Sequence, residues 1–317
     1  MGVRGRSLPG VPAADAHTAT PMGVALTVRD APAEVLAALA AGLERYPADF
    51  GLQGALDVSV RVHGDEPGDP AWPSVQAVDS ADTLTVRCGS AVATLRYPDG
   101  TAVLDLPVSM LGVTDALRLF VESVFTALQV RRGALHAVHS ALVAVDDVGL
   151  VLRGPSGAGK STLTYSCLRR GLAVCSDDWI YAATHAAPGR FAGYPWRMMM
   201  TEDAAARFPE LVGAATVPHP AAEGRKVPVV PPVDQQLVTA TAAAVVLLDP
   251  APELSLQPVS FDEAVERFWA PALPTEREHL TDEWVHGLLD RPTYVLRRGT
   301  DPALAAQALI ELARSLR

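Results

Sequence analysis

The segment that decides the fold runs from residue 149 to residue 170: Gly149-Leu-Val-Leu-Arg-Gly154-Pro-Ser-Gly-Ala-Gly-Lys160-Ser-Thr-Leu-Thr-Tyr-Ser-Cys-Leu-Arg-Arg170. Its first five residues form an apolar run that predicts a strand, and Lys160 to Arg170 predicts a helix that stops at Gly171. Between them, residues 154–161 match the pattern GxxxxGK[ST] without exception, in the strand–loop–helix context that the pattern requires. Because a further strand follows the helix, we predict βαβ units around a partly parallel sheet and hence an α/β fold.

The loop in this segment has the composition of a phosphate-binding P-loop. Glycines let several backbone N–H groups approach a phosphate chain closely, and the start of the helix adds the positive end of its dipole. We expect Lys160 to reach the β- and γ-phosphates of ATP, Ser161 to bind Mg²⁺ and Thr162 to contact the α-phosphate. The expected nucleotide-binding residues are Gly154, Ser156, Gly157, Ala158, Gly159, Lys160, Ser161 and Thr162.

A similar loop sequence occurs in ABC transporter ATPases, so that class has to be considered. Such an ATPase needs an LSGGQ-type segment followed by a strand that ends in Asp-Glu. Residues 245–249 read Val-Val-Leu-Leu-Asp and resemble the strand, but Pro250 stands where the catalytic Glu would be. No LSGGQ segment precedes them, and the sequence therefore disfavours an ABC ATPase.

Two adjacent carboxylates, Asp177 and Asp178, follow the next predicted strand, Leu172 to Cys175. Strand ends in such sheets point at the ligand crevice. One carboxylate can hold Mg²⁺ together with Ser161, and the other can accept a proton from an attacking hydroxyl. We assign the metal to Asp177 and the base to Asp178, with the alternative that Asp178 only caps a turn.

Two histidines, His136 and His139, precede the strand predicted at residues 141–145. A single histidine at such a position is often only a packed side chain, and its type alone does not select one of the two for the site.

Residues 139–162, followed by residues 170–178, resemble the catalytic domain of HPr kinase/phosphorylase. The short gap from the loop to the paired acids and the upstream histidine carry this resemblance, which extends over roughly residues 135–317. The resemblance implies a P-loop kinase domain related to phosphoenolpyruvate carboxykinase that phosphorylates a serine hydroxyl with ATP. It also implies that His139 is the active-site histidine and that Asp177 and Asp178 are the family's acid pair.

The sequence departs from the bifunctional members of that family. Their Glu-Val-Arg-Gly-Leu-Gly-like run is not visible, and the stretch at residues 189–202 is closer to divergent members, some of which modify peptides. We therefore expect the acceptor to be a peptide or small protein with a serine hydroxyl. A small-molecule kinase and a non-catalytic ATP-binding regulator stay open as alternatives.

Basic residues in the loops after the acid pair are candidates for neutralising the transferred phosphoryl group. They are Arg197, Arg225 and Lys226. Each is equally well explained as a surface cation.

The sequence predicts three regions. Residues 1–22 read as a flexible tail, residues 23–132 as a small α+β domain without a chemical constellation, and residues 133–317 as the catalytic domain. Within the last region we predict a loop-rich stretch over residues 183–200, a helix over residues 201–208, a Pro-rich segment over residues 227–233 and a helix over residues 261–269.

Composition excludes several classes of protein. The 317 residues carry 26 Lys and Arg against 36 Asp and Glu, a formal charge of −10, which disfavours binding to nucleic acid or to an anionic membrane. No apolar run approaches the roughly 20 residues of a membrane span. The three cysteines form no metal-binding pair, and with no secretory signal they favour a cytoplasmic protein. The sequence leaves a homo-oligomer open.

Overall fold

The computed structural model describes residues 16–64, 75–186, 188–219 and 224–317 and is a mixed α/β protein with several mixed sheets. The chain forms two compact units, one ending at Leu128 and the other beginning at Gln129. This division lies within a long helix, a few residues before the domain boundary that the sequence suggests. The stretch over residues 63–73, whose Gly, Pro and acidic residues predict a surface loop, lies almost wholly outside the described residues.

The first unit is a sheet with helices. Its described elements are β1 (His17–Ala19), β2 (Ala25–Arg29), α1 (Ala33–Ala41), β3 (Ala55–His63), β4 (Val75–Asp79), β5 (Thr83–Cys88), β6 (Ala91–Arg96), β7 (Thr101–Pro107), α2 (Val108–Leu111) and α3 (Thr114–Arg131). The sheet has the order β1-β2-β3-β7-β6-β5-β4, in which β2, β3 and β7 are parallel and the other pairs antiparallel. An apolar cavity is lined by residues of β2, β3, β7, α1 and α3, among them Leu104 and Phe125.

The predicted flexible tail over residues 1–22 ends too late in the sequence, because residues 17–22 belong to the folded unit. His17–Ala19 pairs with β2 as the first strand of the sheet, and Met22 is fully buried. These residues are ordered because their backbone joins the sheet and an apolar side chain enters the core. Residues 1–15 lie outside the described part of the chain.

The second unit holds all the residues with expected chemistry. Its strands are β8 (Leu135–Val138), β9 (Ala141–Val145), β10 (Val148–Arg153), β11 (Ala173–Ser176), β12 (Ile180–Ala183), β13 (Arg190–Gly193), β14 (Met198–Thr201), β15 (Val217–His219), β16 (Gly224–Val229), β17 (Thr239–Asp249), β18 (Leu254–Pro258) and β19 (Thr293–Arg298). Its helices are α4 (Lys160–Leu168), α5 (Glu202–Ala205), α6 (Phe261–Trp269), α7 (Pro274–His279), α8 (Asp282–Leu289) and α9 (Pro302–Ser315).

The central sheet of this unit is covered by helices on both faces. Strands β10, β17 and β19 are parallel neighbours, and β10 and the second half of β17 are nearly continuously apolar, as expected of strands buried on both sides. Leu150 and Leu152 of β10 pack in the cluster that contains residues of α4 and α9, whereas Val151 packs in the cluster of α6 and α8. The alternation of side chains along one strand thus joins the two cores.

The strand that leads into the paired acids lies two places from the strand that leads into the loop. Strand β9 pairs antiparallel with both β10 and β11, so β10 and β11 run in the same direction with β9 between them. Their carboxyl ends therefore reach the same edge of the sheet. The separation of two strand spacings, about 9–10 Å, leaves room between the loop and the acids.

Three predictions for this unit need correction. The stretch over residues 183–200 contains β13 and most of β14, the helix over residues 201–208 shrinks to α5, and the Pro-rich segment begins inside β16. Strands β14, β16 and β15 form a separate antiparallel sheet, in which β14 pairs with β16 although α5 and β15 lie between them in sequence, so the local pattern of residues 198–201 does not reveal the strand. None of the helices that the structure describes has both the length and the apolar character that crossing a membrane requires.

Candidate active site

The glycine-rich loop connects β10 to α4 and encloses the lysine side chain. Gly157 and Gly159 have φ angles of +79° and +93°, in the left-handed region that glycine adopts at little cost. Lys160 Nζ donates to Gly154 O at 2.8 Å and, more weakly, to Pro155 O at 3.4 Å. The loop therefore curls around the ammonium group and holds it with its own carbonyls.

The residues of the loop differ in exposure. Ser156 and Gly157 are exposed at its tip, whereas Gly154 and Ala158 are buried at its base, and Thr162 is partly buried in the first turn of α4. The tip of the loop is therefore accessible to solvent, and its base is packed.

Burial lowers the pKa of Lys160 below its usual value, and the positive charge of Arg153 acts in the same direction. The negative charges of Asp178, Glu276 and Asp177 oppose this shift. Lys160 is thus a cation of low exposure among three acids, whose negative charges oppose the loss of its proton.

Asp177 is buried beside the start of α4. Its carboxylate accepts hydrogen bonds from the Ser161 hydroxyl and from the backbone N–H of Met199, the latter at 3.3 Å. Burial and the neighbouring charge of Asp178 raise the pKa of Asp177 from 3.8 to about 7, against the effect of these two donors and of Lys226. The structure therefore brings the two expected metal ligands, Asp177 and Ser161, into direct contact.

Asp178 contacts the histidine that the resemblance selects. His139 Nε2 lies 3.0 Å from Asp178 Oδ1, and the ring of His139 also packs against Trp179 at a centroid distance of 5.3 Å. The surroundings of Asp178 disfavour its charge by desolvation, but the hydrogen bond and charge of His139, with Lys226 and Lys160, outweigh this and lower its pKa. The side chain of Asp178 is 61% exposed, so an ionised carboxylate at the sheet edge faces solvent.

The other candidate histidine lies elsewhere. His136 belongs to β8, where its Nδ1 lies 3.0 Å from the carbonyl oxygen of His279 and its ring packs against Trp284. Burial lowers the pKa of His136. These contacts account for His136 as a packed core residue.

The basic candidates are separated by strand alternation. On β16, Lys226 is close enough to influence the charges of both Asp177 and Asp178, whereas the guanidinium of Arg225 donates to the hydroxyl and carbonyl of Thr216. Successive side chains of a strand point to opposite faces, so only one of this pair can turn toward the acids. The Arg197 guanidinium lies 5.2 Å from the ring centroid of Trp196.

Sequence reasoning missed a buried ion pair behind the site. Arg153, the last residue of β10, places its Nη1 2.7 Å from Oε1 of Glu276 on α7, and both side chains are almost completely inaccessible to solvent. An arginine in an otherwise apolar strand was the one sign in the sequence that Arg153 needs a buried partner. The sequence does not identify that partner, because Glu276 lies 123 positions away and no motif surrounds it.

The arrangement fits magnesium and a nucleotide. Among the residues that the structure describes, no group of three or more His, Cys, Asp or Glu side chains is placed to hold a metal ion alone. Mg²⁺ is commonly held by one or two protein oxygens together with phosphate oxygens and water, and Asp177 with Ser161 is such a pair. The ammonium of Lys160 and the backbone of the loop offer the complementary donors for phosphates.

No family model matches the sequence, and no curated protein is similar to it. Among solved structures, the chain is similar to the Hpr(Ser) kinase/phosphatase from Coxiella burnetii, with 13% identity over 56% of this chain and 96% of that chain. The TM-score is 0.29, which is too low to support an argument about fold or function.

Proposed function

We propose that the chain is an ATP-dependent kinase of the HPr-kinase type, with a P-loop catalytic domain, that transfers the γ-phosphoryl group to a serine-type hydroxyl of a peptide or small protein. One observation carries the proposal: at a single sheet edge, Ser161 contacts Asp177 and His139 contacts Asp178. Lys160 lies at the same edge, held by the loop. A phosphate cradle, a metal-binding pair and an ionised carboxylate are the parts that phosphoryl transfer needs.

In this proposal the loop backbone and Lys160 bind the phosphates of ATP, and Thr162 contacts the α-phosphate. Lys160 exchanges its bonds to Gly154 O and Pro155 O for bonds to phosphate oxygens. Asp177 and Ser161 hold Mg²⁺, which when bound neutralises charge on the β- and γ-phosphates. Lys226 adds positive charge on the side of the acids.

Asp178 receives the proton of the acceptor. The hydroxyl oxygen forms a bond to the γ-phosphorus, the bond from that phosphorus to the oxygen bridging the β- and γ-phosphates breaks, and the hydroxyl proton passes to the carboxylate of Asp178. His139 Nε2 contacts Oδ1 of Asp178, so we assign Oδ2 as the atom that accepts the proton of the acceptor hydroxyl. A carboxylate with a lowered pKa is ionised at neutral pH and can orient the hydroxyl before the transfer.

The exposure of Asp178 supports an acceptor that arrives from solution as part of a chain. An acceptor serine on a peptide or protein surface needs a base that it can reach without entering a closed cavity. The open sheet edge at Asp178 meets this requirement.

The test is transfer of label from γ-³²P-ATP to serine-containing peptides, to small proteins of the HPr type and, for comparison, to small alcohols. With a responsive acceptor, Asp178→Asn is expected to reduce kcat by about 100- to 10,000-fold while ATP still binds, because the loop and Lys160 are unchanged. Asp147→Asn, in the exposed turn between β9 and β10, is the matched control and should leave kcat unchanged.

Three outcomes would contradict the proposal. If Asp178→Asn leaves the rate of phosphoryl transfer unchanged, Asp178 is not the general base. ATP binding without transfer to any peptide or protein favours a regulator that senses ATP, and label that appears only on small alcohols favours a small-molecule kinase.

A further inference from the structure

The buried pair of Arg153 and Glu276 contacts the active-site histidine through its backbone. Glu276 Oε1 accepts the N–H of His139 at 2.9 Å as well as Arg153 Nη1. Arg153 Nη1 also donates, at 3.4 Å, to the carbonyl oxygen of His139. Both backbone polar groups of this one residue are therefore bonded to the same ion pair.

The pair is itself held by the surrounding elements. Arg153 Nε donates to Phe268 O at 2.7 Å, and the guanidinium lies 3.9 Å from the centroid of the Phe268 ring at the end of α6. Glu276 Oε2 accepts the N–H of Leu273 at 2.8 Å, which bonds the carboxylate to the residue that precedes α7. Through these hydrogen bonds, the positions of β10, α6 and α7 determine the position of the His139 backbone.

Fixing the backbone of His139 on both sides sets the direction of its Cα–Cβ bond. That direction decides whether Nε2 reaches Oδ1 of Asp178, since His139 lies in the two-residue connection between β8 and β9 and belongs to neither strand. No regular ladder would hold this connection in place.

Stability alone does not explain the pair. Desolvating two charges offsets much of their attraction, so a buried ion pair is often no more stable than apolar side chains of the same size. Arg153 Nη2 is in addition buried without a hydrogen-bond partner among the residues that the structure describes, which is a further cost.

We infer that Arg153 and Glu276 are positioning residues that fix His139 so that it can orient Asp178. This inference rests on the proposed function for its kinetic consequences. Its structural part, the contact between His139 and Asp178, is measurable without any turnover.

The experiment replaces the pair by apolar side chains of similar volume, Arg153→Met with Glu276→Leu, in the full chain. Neither charge is left unpaired, but the N–H groups of His139 and Leu273 and the carbonyl oxygen of Phe268 lose their partners, so the thermal midpoint is expected to fall while the fold is retained. With ¹⁵N-labelled histidine, the Nε2 signal of His139 should move to the position it has in Asp178→Asn, where the partner carboxylate is gone. For phosphoryl transfer from ATP, kcat should fall about 100-fold with KM for ATP within about threefold, as for a small misplacement of a reacting group.

A cycle with His139→Ala separates positioning from a general loss of structure. If the pair acts through His139, the apolar double change lowers kcat no further, within about twofold, once His139 is absent. Equal losses with and without His139 would overturn the inference, as would an unchanged His139 signal in the folded double variant.

A second variant covers failure of the apolar pair to fold. Arg153→Lys keeps the charge, but one ammonium cannot bond Phe268 O, Glu276 and His139 O in the same geometry. A tenfold or larger loss of kcat with the fold retained supports the inference, and an unchanged kcat overturns it. If the parent chain binds no ATP while the His139 signal still depends on the pair, the proposed function fails and the positioning role stands.

Discussion

The paired acids illustrate how adjacent residues acquire opposite properties. Asp177 is buried and has a pKa of about 7, whereas Asp178 is exposed at the sheet edge, contacts His139 and has a lowered pKa. Titratable neighbours whose environments separate their pKa values are suited to different roles. In our proposal the buried carboxylate becomes fully charged only with a cation beside it, and the exposed one is charged throughout.

The raised pKa of Asp177 predicts a stability that depends on pH when no metal is present. Between pH 4 and pH 7 the unfolded aspartate ionises while the folded one does not, so the free energy of unfolding falls as pH rises through this range. Asp177→Asn lacks this penalty. Relative to the parent, it should gain roughly 4 kcal/mol between pH 4 and pH 8, for a shift of about three pKa units.

Urea denaturation in metal-free buffer at several pH values measures this gain. Magnesium with ATP should reduce the difference between the two proteins at pH 8, because the cation favours the carboxylate. Parallel stability curves for parent and variant from pH 4 to pH 8 would contradict the assignment of a buried, protonated Asp177.

The loop and the helix α4 are one functional element. Gly159 is its last loop residue, and a Cβ built there would lie 3.0 Å from Nε of Arg298, at the end of β19. Gly157 has a similar φ of +79° but nothing within 4 Å of its Cβ position. An alanine at position 157 would therefore introduce backbone strain alone, whereas an alanine at position 159 would introduce both backbone strain and a steric clash with Arg298.

For Gly159→Ala we predict a loss of ATP affinity of at least tenfold. The substitution adds about 1–2 kcal/mol of backbone strain and also displaces the side chain of Arg298. Gly157→Ala should show the strain alone and a smaller loss. Gly171→Ala, at φ +87° beyond the far end of α4, should lower stability without changing the affinity. Calorimetric titration with ATP and magnesium checks all three, and equal affinities for the variants at positions 157 and 159 would contradict the role given to Arg298.

The elements that sequence predicts well are those with local signals. Helix α6 has the predicted bounds because Ser260 caps it, accepting from Glu263 N, and acids occupy its first turn. Strands β13 and β14 have only four residues each, which is too short for a clear periodicity. Each also pairs with a distant segment, β13 with β17 and β14 with β16, although β13 pairs with the nearby β12 as well.

The residues of the candidate site also differ in whether a local sequence signal reveals them. Lys160, Ser161 and the paired acids lie on segments whose local pattern indicates chemistry, and the structure brings them to one sheet edge. Glu276 could not be predicted, because its partners Arg153 and His139 are 123 and 137 residues away and only tertiary structure joins them.

At the scale of the whole molecule, each unit has an apolar core of its own. Leu104 lies in the first, and Leu309 lies in the second, in the cluster that also contains residues of α4. All residues of the candidate site belong to the second unit. Under the proposed function, ATP should therefore stabilise the second unit by mass action.

We predict that Leu104→Ala lowers the stability of the first unit by about 2–5 kcal/mol and leaves the Kd for ATP unchanged within about twofold. Leu309→Ala, the same change in the second core, should lower the stability of that unit, and ATP should still raise that stability by the same increment as in the parent, because the increment depends on Kd alone. Scanning calorimetry with and without ATP and magnesium measures both. A weaker Kd for ATP in Leu104→Ala would show that binding needs the first unit.

The separation of Arg153 from Glu276 has a consequence for synthesis of the protein. A ribosome adding 5–20 residues per second needs about 6–25 s to make the 123 positions between them. During that interval Arg153 lacks the carboxylate that it contacts in the folded chain, so burial of its guanidinium would cost more free energy than it does in the complete core. Glu276 completes the pair only after the glycine-rich loop and both paired acids have been made.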